Sequence, residues 1–268
     1  IESCVTDLKI RTDSLQIAAN GVIYAGDDLG RIAIITDQNT SFVQAHVAGI
    51  KKVALNSLSN TLVCLSYDRC MSVWRVFPDQ LPIEVCRSQL PEAVWARAAV
   101  VLPDDKVLTG SFGGSYAEYD LNTQCWDMQF VRAGAALNDV ISVGDNVYAV
   151  GDSGTLLKNG QAVAEMGSLC NFLVKTKHRL LTGGQMGTLW DAENGEEIHS
   201  HYSPLNCGVL LQSDTYNYVA IGTYTGEVLV FEESETGSFA LVKQIKIYEN
   251  AVKGLSFCNG ILFSVCAN

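Results

Sequence analysis

Positive charge is scarce in this sequence: 18 Lys and Arg stand against 29 Asp and Glu, a formal net charge of −11. A surface of that sign repels phosphate backbones and anionic headgroups. It argues against nucleic-acid and membrane binding and towards protein partners with basic, Arg- or Lys-bearing segments. Proline is sparse, with 5 in 268 residues, and there is no G-x-y period, so collagen-like and linker classes fall away. No stretch approaches the roughly 18 consecutive apolar residues of a membrane helix, and no charged-then-apolar leader opens the chain. The nine cysteines contain no C-x-x-C pair, are odd in number and mostly sit among Val, Leu and Phe. Thiols so placed act as small buried hydrophobes, and a reducing compartment, cytoplasmic or nuclear, is expected. The lone sequon Asn39-Thr40-Ser41 is read as a chance triplet. What is abundant is apolar: 48% hydrophobic against 18% charged residues excludes a disordered chain. Because the chain starts at Ile1 and stops inside an apolar run at Asn268, it is expected to belong to a longer polypeptide.

Helical periodicity is lacking as well. Runs of five to seven residues alternate Val, Ile, Leu, Tyr and Phe with small or polar residues, bounded by Gly, Asn and Asp, and none of ten or more shows helical spacing. These runs recur in pairs across a tight turn: VIYAGDDLGRIAII (22–35), LVCLSYDRCMSVWRV (62–76), VLTGSFGGSYAEYD (107–120), VYAVGDSGTLLKNG (147–160), LLTGGQMGTLWD (180–191) and VAIGTYTGEVLVF (219–231). With Gly30, Arg69, Gly114, Gly154, Gly187 and Gly226 as equivalent turn positions, the spacings are 39, 45, 40, 33 and 39. A seventh unit starts at 251–268 and ends before its own turn. Within the shortest unit, Asn159-Gly160 has the residues of a two-residue hairpin turn, since both must take positive φ. Short sheets at this period bury their faces by packing radially about an axis, so the expected fold is an all-β, seven-bladed β-propeller in a single domain, 1–268.

The second unit, HVAGIKKVALNSLSNTLVCLSYDRCMSVWRV (46–76), carries more than a period. Its His, Val-rich inner strand, Ser-x-Asp turn and strand ending in Trp resemble the WD40 repeat proteins. Asp37-x-x-Thr40, Trp190-Asp191-x-x-Asn194-Gly195 and Phe231-Glu232 resemble the ends of other such repeats. The resemblance implies a buried structural hydrogen-bond relay of His46, Ser66, Asp68 and Trp74. It also implies a non-enzymatic protein–protein interaction platform.

Several patterns that suggest chemistry have simpler readings. His46, Ser66 and Asp68 would make a triad only with exposed geometry and oxyanion donors, neither of which a buried relay offers. Gly151-Asp152-Ser153-Gly154 echoes a serine-protease loop but fills the same turn slot as its five counterparts. His199 and His201, with Glu196, Glu197 and Cys207, have the spacing of a metal site on one strand face. That stretch should be a solvated outer strand, and no metal or cofactor is expected. Lys175-Thr176-Lys177-His178-Arg179 reads as a hairpin turn.

Function in a propeller concentrates at the channel mouth, where inner strands begin and tight turns converge. Asp27, Tyr67, Phe112 and Tyr224 beside the turns, with Glu92 and Trp95 before an inner strand, are the expected partner-binding residues on an acidic face. The competing class is a propeller enzyme, or a small-molecule or metal-binding propeller, using Asn138, Asp139, Asn171 and Asn206 in the channel. That set is too neutral for a strong cation cage. Finally, residues 1–10 are placed as an outer strand that closes the ring against 251–268, leaving an incomplete seventh blade open to a partner strand.

Overall fold

The computed structural model describes residues 10–91, 96–132, 134–213 and 216–266. Every regular element among them is a strand. Sheet 1 holds β1 (Thr12–Ile17), β2 (Ile23–Asp27), β3 (Arg31–Ile35) and β4 (Thr40–Gln44); sheet 2 holds β5 (Ile50–Asn56), β6 (Thr61–Ser66), β7 (Cys70–Arg75) and β8 (Ile83–Gln89). Sheet 3 follows with β9 (Ala96–Val101), β10 (Lys106–Ser111), β11 (Ser115–Asp120) and β12 (Cys125–Arg132), and sheet 4 with β13 (Leu137–Val143), β14 (Asn146–Gly151), β15 (Thr155–Lys158) and β16 (Gln161–Glu165). Sheet 5 comprises β17 (Cys170–Lys175), β18 (Leu180–Gly184), β19 (Thr188–Asp191) and β20 (Glu196–Ser200); sheet 6 comprises β21 (Leu205–Ser213), β22 (Tyr216–Thr223), β23 (Glu227–Glu233) and β24 (Phe239–Lys246). Only two strands, β25 (Val252–Cys258) and β26 (Ile261–Cys266), make up sheet 7.

Each sheet is an antiparallel meander in chain order. Its first strand abuts the first strands of the sheets on either side, and β25 abuts β1, so these seven inner strands close a ring. The core is accordingly divided into wedges between neighbouring sheets. Ile32 and Ile34 of sheet 1 pack with Val53, Leu62 and Trp74 of sheet 2, and equivalent clusters follow round to sheets 6 and 7. A last wedge sets Leu15, Ala25 and Ala33 of sheet 1 against Phe263 and Val265 of β26, with Ile10 beside them. Both faces of a sheet are thus buried, which is why the second strands read as nearly continuous apolar runs. β26 is the exception, with no buried residue along its length.

The turn between second and third strands is built alike in six sheets. Its last residue (Gly30, Arg69, Gly114, Gly154, Gly187 or Gly226) has φ between 66° and 84° and donates its N–H to the carbonyl three residues back. Glycine suits this position twice over: a Cβ on Gly187 would lie 2.1 Å from the His201 carbonyl oxygen. Asn159 and Gly160, at φ 49° and 78°, form the tight hairpin turn between β15 and β16. Of residues 1–10, expected to close the ring as an outer strand, residues 1–9 lie outside the described residues.

Candidate functional site

The relay expected in sheet 2 exists with a different serine. His46 Nδ1 lies 2.9 Å from Asp68 Oδ2, His46 Nε2 lies 2.8 Å from Ser72 Oγ, and Trp74 Nε1 donates to Ser72 Oγ at 2.7 Å. Ser66 is not in this chain. Its hydroxyl sits 2.9 Å from the Ala48 carbonyl oxygen and accepts the N–H of Asp68, fixing the turn instead. One proton arrangement serves all four groups: Trp74 donates to Ser72, Ser72 to His46 Nε2, and a neutral His46 through Nδ1–H to the Asp68 carboxylate. Burial holds the His46 imidazole below its ordinary pKa despite Asp68, and the Arg87 guanidinium adds to this. Burial opposes ionisation of Asp68, yet the Cys70 N–H and His46 hold its carboxyl below the usual carboxylate range. The relay is thus a closed, inward-facing structural unit that joins the loop into sheet 2 to its third strand.

A second feature repeats all round the mouth. Every inner strand skips one residue of its ladder directly after its first residue: Asp13, Lys51, Arg97, Asn138, Asn171, Asn206 and Lys253. Such a bulge frees a side chain from the alternation and re-aims it. All seven are polar or charged, and several bridge to the next sheet. Asn138, Asn171 and Asn206 donate their amides to the carbonyls of Cys170, Leu205 and Val252, in each case the first residue of the following inner strand. Asp13 pairs with Lys51 at 2.7 Å, and Arg97 donates to the Asn138 side chain. Asp139, one step deeper, accepts the N–H of Leu173 at 2.8 Å, and burial pushes its carboxyl up. The four residues considered for a channel ligand site, Asn138, Asp139, Asn171 and Asn206, are therefore engaged in holding one sheet to the next. Their common signal in the sequence is position, 15 to 20 residues before the turn residue of the same unit.

Of the expected partner-binding residues, the structure groups three. Tyr67, Phe112 and Tyr224 each follow the second strand of their sheet and are partly exposed at the mouth end. The Arg97 guanidinium lies over the Phe112 ring at 4.7 Å, and the Lys253 ammonium lies 5.5 Å from the Tyr224 ring centroid. Asp27 does not belong with them. It is 0% exposed, and its carboxylate accepts the N–H groups of Leu29 and Arg31 and pairs with the Arg31 side chain. One residue of register separates it from the exposed slot, which Asp28 takes. Glu92 and Trp95 lie outside the described residues.

Acidic side chains stand at both ends. Among the described residues the mouth end carries Asp13, Asp28, Asp68, Asp152 and Glu249 with Lys51, Arg69, Arg97 and Lys253, while the far-end loops carry Asp37, Asp79, Asp104, Asp105, Asp145, Glu193 and Glu235 with Lys177 and Arg179. The mouth also has apolar surface. Val47 is 94% exposed and Tyr202 76%, and Leu29, Met186 and Ile247 join Tyr67, Phe112 and Tyr224 as exposed large hydrophobics on its loops. The far-end loops expose Leu58, Leu81 and Ile261.

The remaining motifs resolve as structure. His199 packs edge-on against Phe231, and His201 packs at a tilt against Tyr202; His201 is buried beyond the end of β20 rather than solvated. The basic run forms the turn between β17 and β18, where buried Glu233 accepts from Thr176 Oγ1 at 2.6 Å and from the N–H groups of Lys177 and His178. Gly151-Asp152-Ser153-Gly154 is the second-to-third-strand turn of sheet 4.

The fold is shared with solved WD40 structures. The chain superposes on the WD40 repeats of RRP9 with a TM-score of 0.80 at 11% identity, covering 97% of this chain and 88% of that one. On U3-55K the TM-score is 0.79 at 11% identity over 97% and 89% of the two chains. On the computationally designed Ika8 protein it is 0.67 at 16% identity over 96% and 94%. No family model and no curated protein matches the sequence. The architecture is thus that of a WD40-type β-propeller.

Proposed function

We propose that this chain is a non-enzymatic protein-interaction platform that docks its partner on the channel-mouth face. The observation that carries this reading is the concentration of exposed Leu29, Val47, Tyr67, Phe112, Met186, Tyr202, Tyr224 and Ile247 on the loops of one end. Contiguous exposed apolar side chains mark interaction sites, and aromatic ones give large contact area at small entropic cost. The shared WD40 fold is consistent with such a role but does not name a partner. Several groups that could do chemistry are occupied: the channel asparagines bridge sheets, His46 is buried against Asp68, and burial pushes the Cys207 thiol up to about 12. The described cysteines are free thiols, which suits the reducing cytoplasm or nucleus. The test is a pull-down with the intact chain, in parallel with Val47→Glu, Met186→Glu and, at the far end, Leu58→Glu. Partners lost with the first two and kept with the third support mouth docking; the reverse pattern moves the site to the far end.

A second reading rests on the acidic far-end loops, which would draw basic segments there. Capture that weakens steeply with salt and survives the mouth substitutions would favour it.

A further inference from the structure

Each of the first six sheets ends on an outer strand whose far edge has no partner strand among the described residues, and five of these edges are blunted twice. β8, β12, β16, β20 and β24 each break register with the third strand of their sheet, and each carries at least one charged residue. Bulges and charges keep an edge from pairing with another chain. β4 has neither. Its residues Thr40, Ser41, Phe42, Val43 and Gln44 pair with β3 without interruption, and none is charged. The Ala45 N–H donates to the Gly30 carbonyl, and by the alternation of an antiparallel ladder Ser41 and Val43 bond inward as Ala45 does. Thr40, Phe42 and Gln44 therefore turn their N–H and C=O groups outward. Phe42 and Gln44 are exposed, with the Arg31 guanidinium 4.4 Å from the centre of the Phe42 ring. Phe42 stands opposite Ala33, on the face towards sheet 7, and sheet 7 has no third or fourth strand among the described residues. In the turn before β4, Asp37 is exposed and has no ion pair among the described residues.

We propose that β4 is a docking edge for an extended segment of a partner protein, which adds to sheet 1 as a fifth strand. Its backbone bonds to the outward groups of Thr40, Phe42 and Gln44, and its residue opposite Phe42 is aromatic or β-branched. A Lys or Arg beyond the Thr40 end meets Asp37. The basic residue follows from that carboxylate and from the net charge of −11, which draws cationic segments and sets two copies of this chain against each other. The edge lies on the rim rather than on the mouth loops, so it adds a second docking site to the platform.

The experiment is selection of a phage-displayed random dodecapeptide library on the intact chain, followed by synthesis of the enriched peptides. Thr40→Pro removes one outward N–H and keeps the bonds to β3, while Phe42→Lys leaves the backbone whole and adds the kind of charge the other edges carry. Both variants are used where circular dichroism and melting match the parent. The expected peptides bind the parent and Tyr224→Ala alike, and bind each edge variant at least about 5-fold more weakly, the worth of one hydrogen bond. They alternate apolar and polar residues, carry Lys or Arg near one end, and bind Asp37→Asn less tightly than the parent. N-methylation along such a peptide should abolish binding to the parent at every second residue and spare the residues between, a pattern that a side-chain pocket does not produce. The scan uses the parent, so it gives the answer where an edge variant does not fold. Peptides indifferent to both edge variants, a scan without alternation, or no enriched peptide overturns the inference; peptides lost with Tyr224→Ala instead place docking at the mouth alone. A parent that sediments as a dimer, and as a monomer with Phe42→Lys, gives the edge to a second copy and overturns it as well.

Discussion

Ser72 and Cys64 face each other directly across the β6–β7 ladder, and it is the Ser72 hydroxyl that bridges His46 to Trp74. Both side chains are fully buried. Truncating Ser72 removes the one hydroxyl that satisfies both buried ring nitrogens, His46 Nε2 and Trp74 Nε1. Ser72→Ala should therefore destabilise the fold by about 1–3 kcal/mol, and Asp68→Ala by a similar amount. Equilibrium denaturation measures both, and an unchanged midpoint for Ser72→Ala would remove the relay.

The same relay makes stability depend on pH. The folded-state pKa of His46 lies below its ordinary value, so protonation favours the unfolded chain; the stabilisation is full above the unfolded pKa of about 6.5 and falls as pH drops through it. The Asp68 pKa is also held low, so its contribution is present above the unfolded value of about 4 and is lost below it. Both act in one direction. The melting temperature should fall between pH 7 and pH 5, and His46→Gln should flatten that part of the profile. A parent profile that rises on acidification in this window contradicts the neutral imidazole.

The period, the strand content and the turn positions were legible in the sequence because each follows from local rules: alternation, glycine at positive φ, Asn-Gly in a hairpin. The relay was legible as a spacing, but Ser66 and Ser72 both lie within reach along the chain. Only the ladder register tells that Ser72, on the same strand as Trp74 and two residues from it, stands on its face. Asp27 was misplaced by one residue for the same reason, since consecutive residues at a strand end lie on opposite sides. The bulge ring left no residue pattern to find, because Asp, Lys, Arg and Asn all serve there; what repeats is a backbone irregularity. Charge distribution depends on which loops share an end, which composition does not contain.

Gly187 should not tolerate a side chain. At φ 75°, with the His201 carbonyl oxygen 2.1 Å from an added Cβ, Gly187→Ala must push the loop into sheet 6 away from the turn. A loss of about 1–3 kcal/mol is expected, with less effect at Gly21→Ala, where φ is also positive but nothing lies within 4 Å. Equal losses at both sites would reduce the effect to backbone conformation alone.

Among the described residues the wedge between sheets 7 and 1 fully buries only Leu15, Ala25 and Ala33, and sheet 7 has two strands. Native-state hydrogen exchange should find β25, β26 and β1 opening before the other sheets. We propose that residues 1–9 cover part of β26, so a chain lacking them should lose protection there and melt earlier as a whole. If that truncation leaves exchange and melting unchanged, closure by the N-terminal segment is wrong, and β26 keeps an open edge for a partner strand.

The seam also sets an order of events during synthesis. The Asn259 side chain donates to the Ala19 carbonyl and the Cys258 thiol to that of Ala18, contacts that join residues 240 apart, whereas the strands within a sheet pair with their sequence neighbours. Sheets 1 to 6 can form as the polypeptide leaves the ribosome, while the outer face of sheet 1 waits for nearly the entire chain. That waiting face presents Leu15, Ala25 and Ala33 with Ile10, Ile23 and Ile35 beside them, so the unfinished ring keeps an apolar face uncovered through most of synthesis, and the arrival of β25 and β26 is the step that removes it from reach of other chains.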